Sequence, residues 1–382
     1  MVASWLATGA HMRRLPGLDF LRASAIVWVM LFHSWVVGGL GARFAGIQNT
    51  GWMAVDLFFV LSGYLIGGQL LRPLSRGEPL GFWSFYRRRT FRIIPAYSVV
   101  LALYFLMPGF NREGGLPPLW EFLTYTVNLF IDYDTQKAFS NAWSLCVEEH
   151  FYLVFPLIAW YLTRRNSRAA VATGFAAIVL GGMLLRWGLW YHSKEHFLEV
   201  IYYPTYNRLD GLLAGVFLAT LEVYRPVTWA WLCRHANSLF LPLGIILLGT
   251  AIYICHDKTG LLATIAGYPL LAAAMASFVI VGASPTGLLA KLCLPGVRWI
   301  ALVSYSVYLV HKAIFKQVEA FLPAWFAGHA YLTFVVYALA AFAAGAVLHY
   351  AVERPFLYLR DRGRRRAGAY LPTRPLQSPV NP

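Results

Sequence analysis

Long apolar runs recur through this chain, and they leave it few ways to fold. Each run has roughly 16 to 23 residues, enough for a helix to cross a hydrocarbon layer of about 30 Å. Lipid offers the backbone no hydrogen-bond partners, so an isolated spanning segment must be helical. There are ten such runs: residues 18–40, 51–71, 93–108, 143–163, 170–191, 206–224, 238–255, 261–282, 299–319 and 330–350. The sequence therefore predicts an all-α polytopic membrane protein, a bundle of about ten transmembrane helices.

The composition supports a membrane protein and argues against a nucleic-acid partner. Only 13% of the residues are charged and 59% are hydrophobic, whereas a soluble domain carries about 25% charged residues. The formal net charge of +15 comes mostly from arginines grouped in short segments between apolar runs. Membrane proteins carry such clusters in their cytoplasmic loops. The charge thus indicates topology, and the partners that we expect are membrane lipids rather than nucleic acid.

The positions of the basic clusters predict that both termini are cytoplasmic. With ten crossings, the clusters fall on one side: residues 13–14, 72–92, 164–168, 225–235, 291–298 and 360–366. The other side receives only Arg43, Arg112, Lys137, Lys194 and Lys258. An additional crossing at 119–131 would destroy this asymmetry, and its 13 residues are more typical of an interfacial or re-entrant helix. The N-terminal run carries Arg22 and His33 and lacks a small-residue cleavage site, so we expect a permanent span rather than a signal peptide.

Arg22 and His33 lie in the first run, eleven residues apart. Eleven residues make three helical turns plus roughly 20°, so both side chains lie on one stripe about 16 Å apart. Either residue could be a satisfied structural group. Ionisable residues inside a bilayer are costly, however, and by default they indicate a functional site.

Polar residues of several other runs are predicted to lie at the depth of His33, in the outer half of the membrane. They are Asp56, Glu148, Glu149, Arg208, Asp210 and His311. Scattered structural residues would have no reason to share a depth, so we expect one polar site. Metal binding is not predicted, because the cysteines are scattered and the only close histidine pair, His192 and His196, lies in a short polar loop.

Four arginines precede the third run within six residues, at 87, 88, 89 and 92. They could simply be the positive-inside signal. They would equally suit a phosphate-rich cytosolic ligand, because guanidinium groups bind phosphate bidentately. Both interpretations are compatible with the sequence.

Seven motifs, in order along the chain, resemble those of the membrane acyltransferase family 3, the integral-membrane O-acyltransferases of bacteria. They are Leu18–Ala23 with His33, Gly51–Tyr64, Arg89–Pro95, Trp143–Tyr152, Arg208–Gly211, Ser304–His311 and Glu353–Pro355. Any one of them would be weak evidence. Together they run in family order from residue 18 to 357, nearly the whole chain, and their order makes the resemblance specific.

The resemblance implies roles for several residues. Arg22 and His33 match an essential signature, Arg89 and Arg92 match an element associated with the acyl donor, and Ser144 with Glu148 matches a third element. It also implies that acyl-CoA, most often acetyl-CoA, is the co-substrate, with no bound cofactor. The acceptor would be a glycan, a lipid-linked saccharide or a small molecule, and the location the bacterial inner membrane. Cys146 stands where the family commonly has a small or hydroxyl-bearing residue, and we expect no effect of this difference on activity.

These implications predict three parts of the chain: a cytoplasmic segment 1–17, a transmembrane acyltransferase domain 18–357, and a basic, then proline-rich, disordered tail 358–382. Some family members carry a fused extracytoplasmic hydrolase-like domain, and we expect none here.

Our mechanistic hypothesis is that His33 acts as the general base, with Glu148 or Asp56 orienting its ring. Arg22 would face the channel of the donor's acyl-pantetheine arm. The expected donor-binding residues are Arg88, Arg89 and Arg92, and the expected acceptor-site or structural polar residues are Ser144, Arg208, Asp210, Tyr305 and His311. The alternatives are a proton-coupled transporter or flippase, which also uses intramembrane charges, and a non-catalytic glycan or lipid binder.

Overall fold

The computed structural model describes residues 15–37, 40, 44–107, 109–165, 168–292, 294–321 and 329–369. Every regular element in these ranges is helical, as predicted. Most of the predicted N-terminal segment and the proline-rich end of the tail lie outside the described residues. Residues 358–369, the basic part of the tail, belong to the helix Arg354–Ala369, and the disorder of the tail stays a prediction.

The described ranges contain sixteen α-helices. They are α1 Pro16–His33, α2 Ala45–Thr50, α3 Ala54–Ser75, α4 Phe82–Leu106, α5 Leu119–Leu123, α6 Val127–Phe130, α7 Ala142–Arg165, α8 Arg168–Ser193, α9 Asp210–Tyr224, α10 Pro226–Arg234, α11 Leu241–Ile254, α12 Tyr268–Ala283, α13 Leu288–Lys291, α14 Val297–Phe321, α15 Ala330–Leu348 and α16 Arg354–Ala369. Short 3-10 or π turns extend several of them, including the π turn His349–Glu353 between α15 and α16.

In the described ranges, seven helical stretches are long and apolar enough to cross a membrane, so this is a multi-pass membrane protein. They are Ala45–Ser75, Phe82–Leu106, Ala142–Arg164, Ala169–His196, Ala236–Ile254, Ala263–Ala283 and Ala330–Asp361. The other three predicted runs are also helical, as α1, α9 and α14. The count of ten crossings and the orientation of the termini stay predictions. Residues 119–131 contain two short helices, α5 and α6, of five and four residues, too short to cross.

The centre of the bundle is built around α3 and α9, which pack closely because glycines face the partner backbone. A side chain at Gly63 would place its Cβ atom 2.0 Å from the carbonyl oxygen of Leu212, and one at Gly215 would lie 2.2 Å from that of Val60. Small residues permit this approach in membrane helix pairs. Helix α1 packs against α3, α12 and α14, which places its Arg22–His33 stripe inside the bundle.

Helix α4 begins well before the apolar run predicted at 93–108. It starts at Phe82, so the arginine cluster is already helical. Arg89 and Arg92 therefore lie on one face of α4, as their spacing requires.

Candidate active site

His33, at the end of α1, contacts a second histidine on α14. The Nε2 atom of His311 lies 3.1 Å from Nδ1 of His33. The Nδ1 atom of His33 also lies 3.0 Å from the carbonyl oxygen of Val29, and Nδ1 of His311 lies 2.9 Å from that of Tyr308. Carbonyl oxygens only accept hydrogen bonds, so both Nδ1 atoms carry the proton in the neutral rings. His311 Nε2 is then an acceptor directed at His33 Nδ1–H.

This assignment leaves Nε2 of His33 unprotonated. Within the part of the chain that the structure describes, that nitrogen has no hydrogen-bond partner. His33 also lines a cavity. An imidazole nitrogen with a free lone pair beside a cavity is suited to accept a proton from a bound hydroxyl group.

The structure gives His33 a different partner from the carboxylate predicted from the sequence. Asp56 is paired with Arg208, whose Nη2 atom lies 3.0 Å from Oδ2, and Glu148 accepts a hydrogen bond of 2.9 Å from the Tyr152 hydroxyl. Neither carboxylate is among the described contacts of His33. The sequence could place these groups at one depth but not say which faces of their helices meet.

Asp56 and Arg208 form a buried ion pair surrounded by aromatic rings. Their side chains are 3% and 0% exposed. The guanidinium carbon lies over four rings, at 4.3 Å from the centroid of Tyr268, 4.7 Å from Tyr202, 5.3 Å from Trp143 and 6.0 Å from Phe59. The negative faces of these rings add to the stabilisation that Asp56 gives this buried cation.

A second buried ion pair joins Asp210 to Arg186. Arg186 is not among the site residues predicted from the sequence. The Nη1 atom of Arg186 lies 2.8 Å from Oδ2 of Asp210 and 2.7 Å from the carbonyl oxygen of Asn207. These contacts fasten α8 to the start of α9, which is a structural role. A lone arginine inside the apolar run 170–191 was the available signal.

The cavity beside His33 is aromatic and has a volume of about 460 Å³. Its lining includes the rings of Phe32, Trp35, Trp52, Tyr133, Trp143, Phe197, Tyr202, Tyr203, Tyr268 and Tyr308. The indole nitrogen of Trp52 and the side-chain oxygen of Asn141, which also lines the cavity, are buried without hydrogen-bond partners in the described structure. We call this space the aromatic cavity.

A second cavity of about 750 Å³ has a different chemistry. Six arginines line it: Arg22, Arg72, Arg89, Arg92, Arg298 and Arg360. We call it the arginine cavity. Glu148, Ser144 and Tyr305 also line it. Arg88, predicted to bind the donor, is not part of this lining. Arg88 is one position away from the face of α4 that Arg89 and Arg92 share. It lies instead 3.3 Å from the Ser84 hydroxyl on the same helix.

Neighbouring side chains position the two predicted donor-binding arginines. Arg89 donates to the side-chain oxygen of Gln69 at 3.2 Å and lies over the ring of Tyr152. The Nη1 atom of Arg92 is 2.7 Å from Oε1 of Glu353, whose side chain is fully buried. The other Glu353 oxygen accepts hydrogen bonds from Ser306 and His349. Glu353 is therefore a positioning residue that the sequence analysis quoted without a role.

The two cavities share the lining residues Val55 and Tyr308. The Tyr308 hydroxyl lies 2.6 Å from the Ser144 hydroxyl and donates to the carbonyl oxygen of Asn141 at 3.1 Å. Ser144, predicted as a site residue, thus lies where the cavities adjoin. Tyr305 instead donates to the carbonyl oxygen of Ile93 at 2.9 Å, within the arginine cavity alone.

Lys312 follows His311 on α14 and was also missed by the sequence analysis. Its ammonium group is 2.6 Å from Oε2 of Glu113 and donates to the Ser140 hydroxyl at 2.7 Å. Lys312 lines the aromatic cavity. Glu113 comes from the segment between α4 and α5, so only folding could reveal this pair.

Comparison of the sequence with known proteins shows which family this chain belongs to. A family model described as an acyltransferase domain matches residues 15–353. The chain belongs to this acyltransferase family. The resemblance found in the sequence is therefore confirmed, and family membership favours an acyltransferase over a transporter or a non-catalytic binder.

Two relatives illustrate the similarity within the acyltransferase family. The protein named O-acetyltransferase OatA from Staphylococcus aureus is 29% identical over 338 residues, which are 81% of this chain and 52% of that protein. The putative peptidoglycan O-acetyltransferase YrhL from Bacillus subtilis is 28% identical over 333 residues, 80% of this chain and 49% of that protein. The chain thus spans about half the length of these curated relatives. No solved structure matches it.

Proposed function

We propose that this protein is a membrane O-acyltransferase that moves an acyl group, most simply acetyl, from acyl-CoA to a hydroxyl group of a glycan. One observation carries the proposal. A cavity lined by six arginines and a cavity lined by aromatic rings and His33 adjoin at Tyr308 and Val55. A thioester donor that carries phosphates and an uncharged, hydroxyl-bearing acceptor require these two environments.

The arginine cavity is the proposed donor site. Guanidinium groups bind phosphate oxygens with charge-assisted, bidentate hydrogen bonds, and acyl-CoA presents several phosphates. Arg89 and Arg92 would hold these phosphates, and Arg22 would face the pantetheine arm. The arginine clusters of the sequence favour a cytoplasmic opening for this cavity in a bacterial inner membrane, with both chain termini cytoplasmic.

The aromatic cavity is the proposed acceptor site. Trp52 offers an unpaired N–H donor and Asn141 an unpaired acceptor, which suits a ligand with several hydroxyl groups. The relative YrhL is named as a putative peptidoglycan O-acetyltransferase, which supports a cell-envelope glycan. A lipid-linked saccharide or a small hydroxylated molecule would use the same contacts.

His33 is the proposed general base. Its free Nε2 atom would take the proton of the acceptor hydroxyl while the hydroxyl oxygen attacks the thioester carbonyl. His311 Nε2, facing the Nδ1–H of His33 at 3.1 Å, would hold the ring in this tautomer and orientation. That is the role that the sequence analysis gave to a carboxylate.

Radiolabelled acetyl-CoA tests the proposal directly. Detergent-purified protein should transfer the label to peptidoglycan fragments or other saccharides, and donor consumption should depend on the acceptor. His33→Ala should slow transfer by about 10²- to 10⁴-fold, the usual contribution of a positioned base. Transfer at the wild-type rate by this variant would remove His33 from the mechanism.

Two arginine variants test the donor site. Arg89→Ala should raise the KM for acetyl-CoA about tenfold or more and leave the acceptor KM nearly unchanged, because one charge-assisted phosphate contact contributes about 1.5–3 kcal/mol. Arg88→Ala should change neither constant by more than about twofold, because Arg88 lies outside the arginine cavity. Equal effects of the two variants would contradict this division.

A further inference from the structure

We infer that Tyr308 is a catalytic residue whose hydroxyl group donates a hydrogen bond to the thioester carbonyl oxygen as that oxygen becomes negatively charged. The inference rests on the proposed function and adds an oxyanion donor to it. The first observation is the position of Tyr308 relative to the two cavities. The acyl carbon must lie where the donor and acceptor meet, and among the described residues Tyr308 and Val55 are the ones that line both cavities. Of these two residues, Val55 has no polar side-chain atom, so the Tyr308 hydroxyl is the donor that this pair offers to a carbonyl there.

The proton of this hydroxyl can be redirected without moving the ring. The Tyr308 and Ser144 oxygens are 2.6 Å apart, and each lies within reach of the Asn141 carbonyl oxygen, at 3.1 Å for Tyr308 and 3.3 Å for Ser144. One hydroxyl proton lies between the two oxygens and the other points to Asn141. If Ser144 donates to Asn141, it can still accept from Tyr308. If Ser144 donates to Tyr308, the Tyr308 proton is held only by the longer contact to Asn141.

An arriving oxyanion would compete for the Tyr308 proton, because a charged acceptor forms a bond about twice as strong as a neutral carbonyl does. The position of the tyrosine is fixed independently of its hydroxyl group. The side-chain amide of Asn141 donates to the backbone carbonyl oxygen of Tyr308 at 2.8 Å, and His311 donates to the same oxygen. The residue that positions His33 therefore also binds the backbone of Tyr308.

Acyl transfer proceeds by addition to the thioester carbonyl and then elimination of the CoA sulfur. The acceptor hydroxyl oxygen bonds to the thioester carbonyl carbon, and its proton moves to Nε2 of His33. The electron pair of the carbonyl π bond moves to the carbonyl oxygen, which accepts the hydrogen bond from Tyr308. When the carbonyl re-forms, the carbon–sulfur bond breaks, and the CoA sulfur leaves with its electron pair and takes the proton from His33. The products are the acylated acceptor and free CoA thiol.

Tyr308→Phe tests the inference, because the variant keeps the ring between the cavities and removes only the hydroxyl group. We expect kcat to fall at least tenfold and by as much as about 10³-fold, while both KM values stay within about twofold of wild type. The matched control is Tyr97→Phe. Tyr97 is also buried and donates to a backbone carbonyl, that of Phe122 at 3.0 Å, but it lines neither cavity.

The midpoint of thermal unfolding in detergent separates catalysis from folding. Tyr308→Phe should unfold within a few degrees of Tyr97→Phe, and Tyr97→Phe should keep its kcat within about twofold of wild type. An unchanged kcat in Tyr308→Phe, or a loss that appears in KM or equally in the Tyr97 control, overturns the inference alone. Wild-type protein that consumes no donor with any saccharide overturns the proposed function, and the inference with it.

Discussion

Two histidines of different helices occupy the position where the sequence suggested a histidine–carboxylate pair. The free lone pair on Nε2 of His33 follows from the two carbonyl oxygens, of Val29 and Tyr308, that face the Nδ1 atoms. The carboxylates that the sequence offered as partners instead neutralise a buried arginine or accept from a tyrosine. The hydrogen-bonding state of His33 is thus set by its neighbours. The Val29 carbonyl oxygen and the His311 ring contact Nδ1, which leaves the lone pair on Nε2.

His311→Phe should slow transfer about 10- to 100-fold, because it keeps a ring beside His33 but removes the acceptor facing Nδ1–H. This factor is part of the 10²- to 10⁴-fold rate acceleration that a positioned base contributes. His311→Gln restores an acceptor oxygen and should recover part of the rate. Steady-state kinetics with acetyl-CoA would show this order, wild type above Gln above Phe. Equal rates for Gln and Phe would contradict the positioning role.

Asp56→Ala should destabilise the fold by about 3–5 kcal/mol, because it leaves the Arg208 cation buried without its carboxylate. The aromatic rings around Arg208 compensate only part of this cost. Denaturant unfolding in detergent, followed by tryptophan fluorescence, would measure the loss. Asp132→Ala is the control. The described hydrogen bonds of that carboxylate come from nearby loop groups, so the substitution should change stability by less than about 0.5 kcal/mol.

At the scale of elements, α14 connects the chemistry of the site. It carries Tyr305 in the arginine cavity, Tyr308 where the cavities adjoin, and His311 beside His33. Each of these residues is three positions from the next, so successive members are neighbours on the helix surface. Helix α1 packs along α14 and carries Arg22 and His33 in the same way. The site is therefore built largely between two helices.

The contact between α3 and α9 leaves no room for larger side chains at its glycines. Gly215→Leu would place a side chain within 2.2 Å of the Val60 carbonyl oxygen, so the helices must separate. We expect a loss of stability of at least about 1–3 kcal/mol, the usual cost of overpacking, with less folded protein recovered. Size-exclusion chromatography and thermal unfolding would measure both. Gly249→Leu is the control, because nothing lies within 4 Å of a Cβ atom there.

At the scale of the whole molecule, the fold separates two chemical environments inside one bundle. The arginine cavity collects side chains from α1, α3, α4, α7, α9, α14 and α16. The rings of the aromatic cavity come from α1, α7, α12 and α14 and from the segments that follow α1, α2, α6 and α8. The six arginines are brought together from segments that are far apart in the chain. Asp19, Glu222, Glu353 and Asp361 pair with four of the six, and the remaining positive field should attract a polyanionic donor over a longer range than any single contact.

Ionic strength should therefore act on the donor and not on the acceptor. Raising salt from about 0.01 M to about 0.15 M shortens the Debye length from about 30 Å to about 8 Å, so the KM for acetyl-CoA should rise several-fold. The KM for S-acetyl-pantetheine, which lacks the phosphates, should stay constant. A matching salt dependence of the two donors would contradict electrostatic capture by the arginines.

The sequence by itself determined the helical membrane fold, because long apolar runs have no other way to satisfy their backbone in lipid. It also indicated the family, and it selected Arg22, His33, Ser144, Arg89 and Arg92, which all line one of the two cavities. Periodicity and depth need only the positions of residues along a helix, so these features could be read from the chain.

Only the tertiary structure decided which side chains meet. The pairing of Asp56 with Arg208, of Asp210 with Arg186, and of His33 with His311 depends on how each helix is rotated about its axis and on its neighbours. Two polar groups at one depth can face each other or face different helices, and an apolar run gives little information on that rotation. The partner of His33 was for that reason decided by packing and not by sequence spacing.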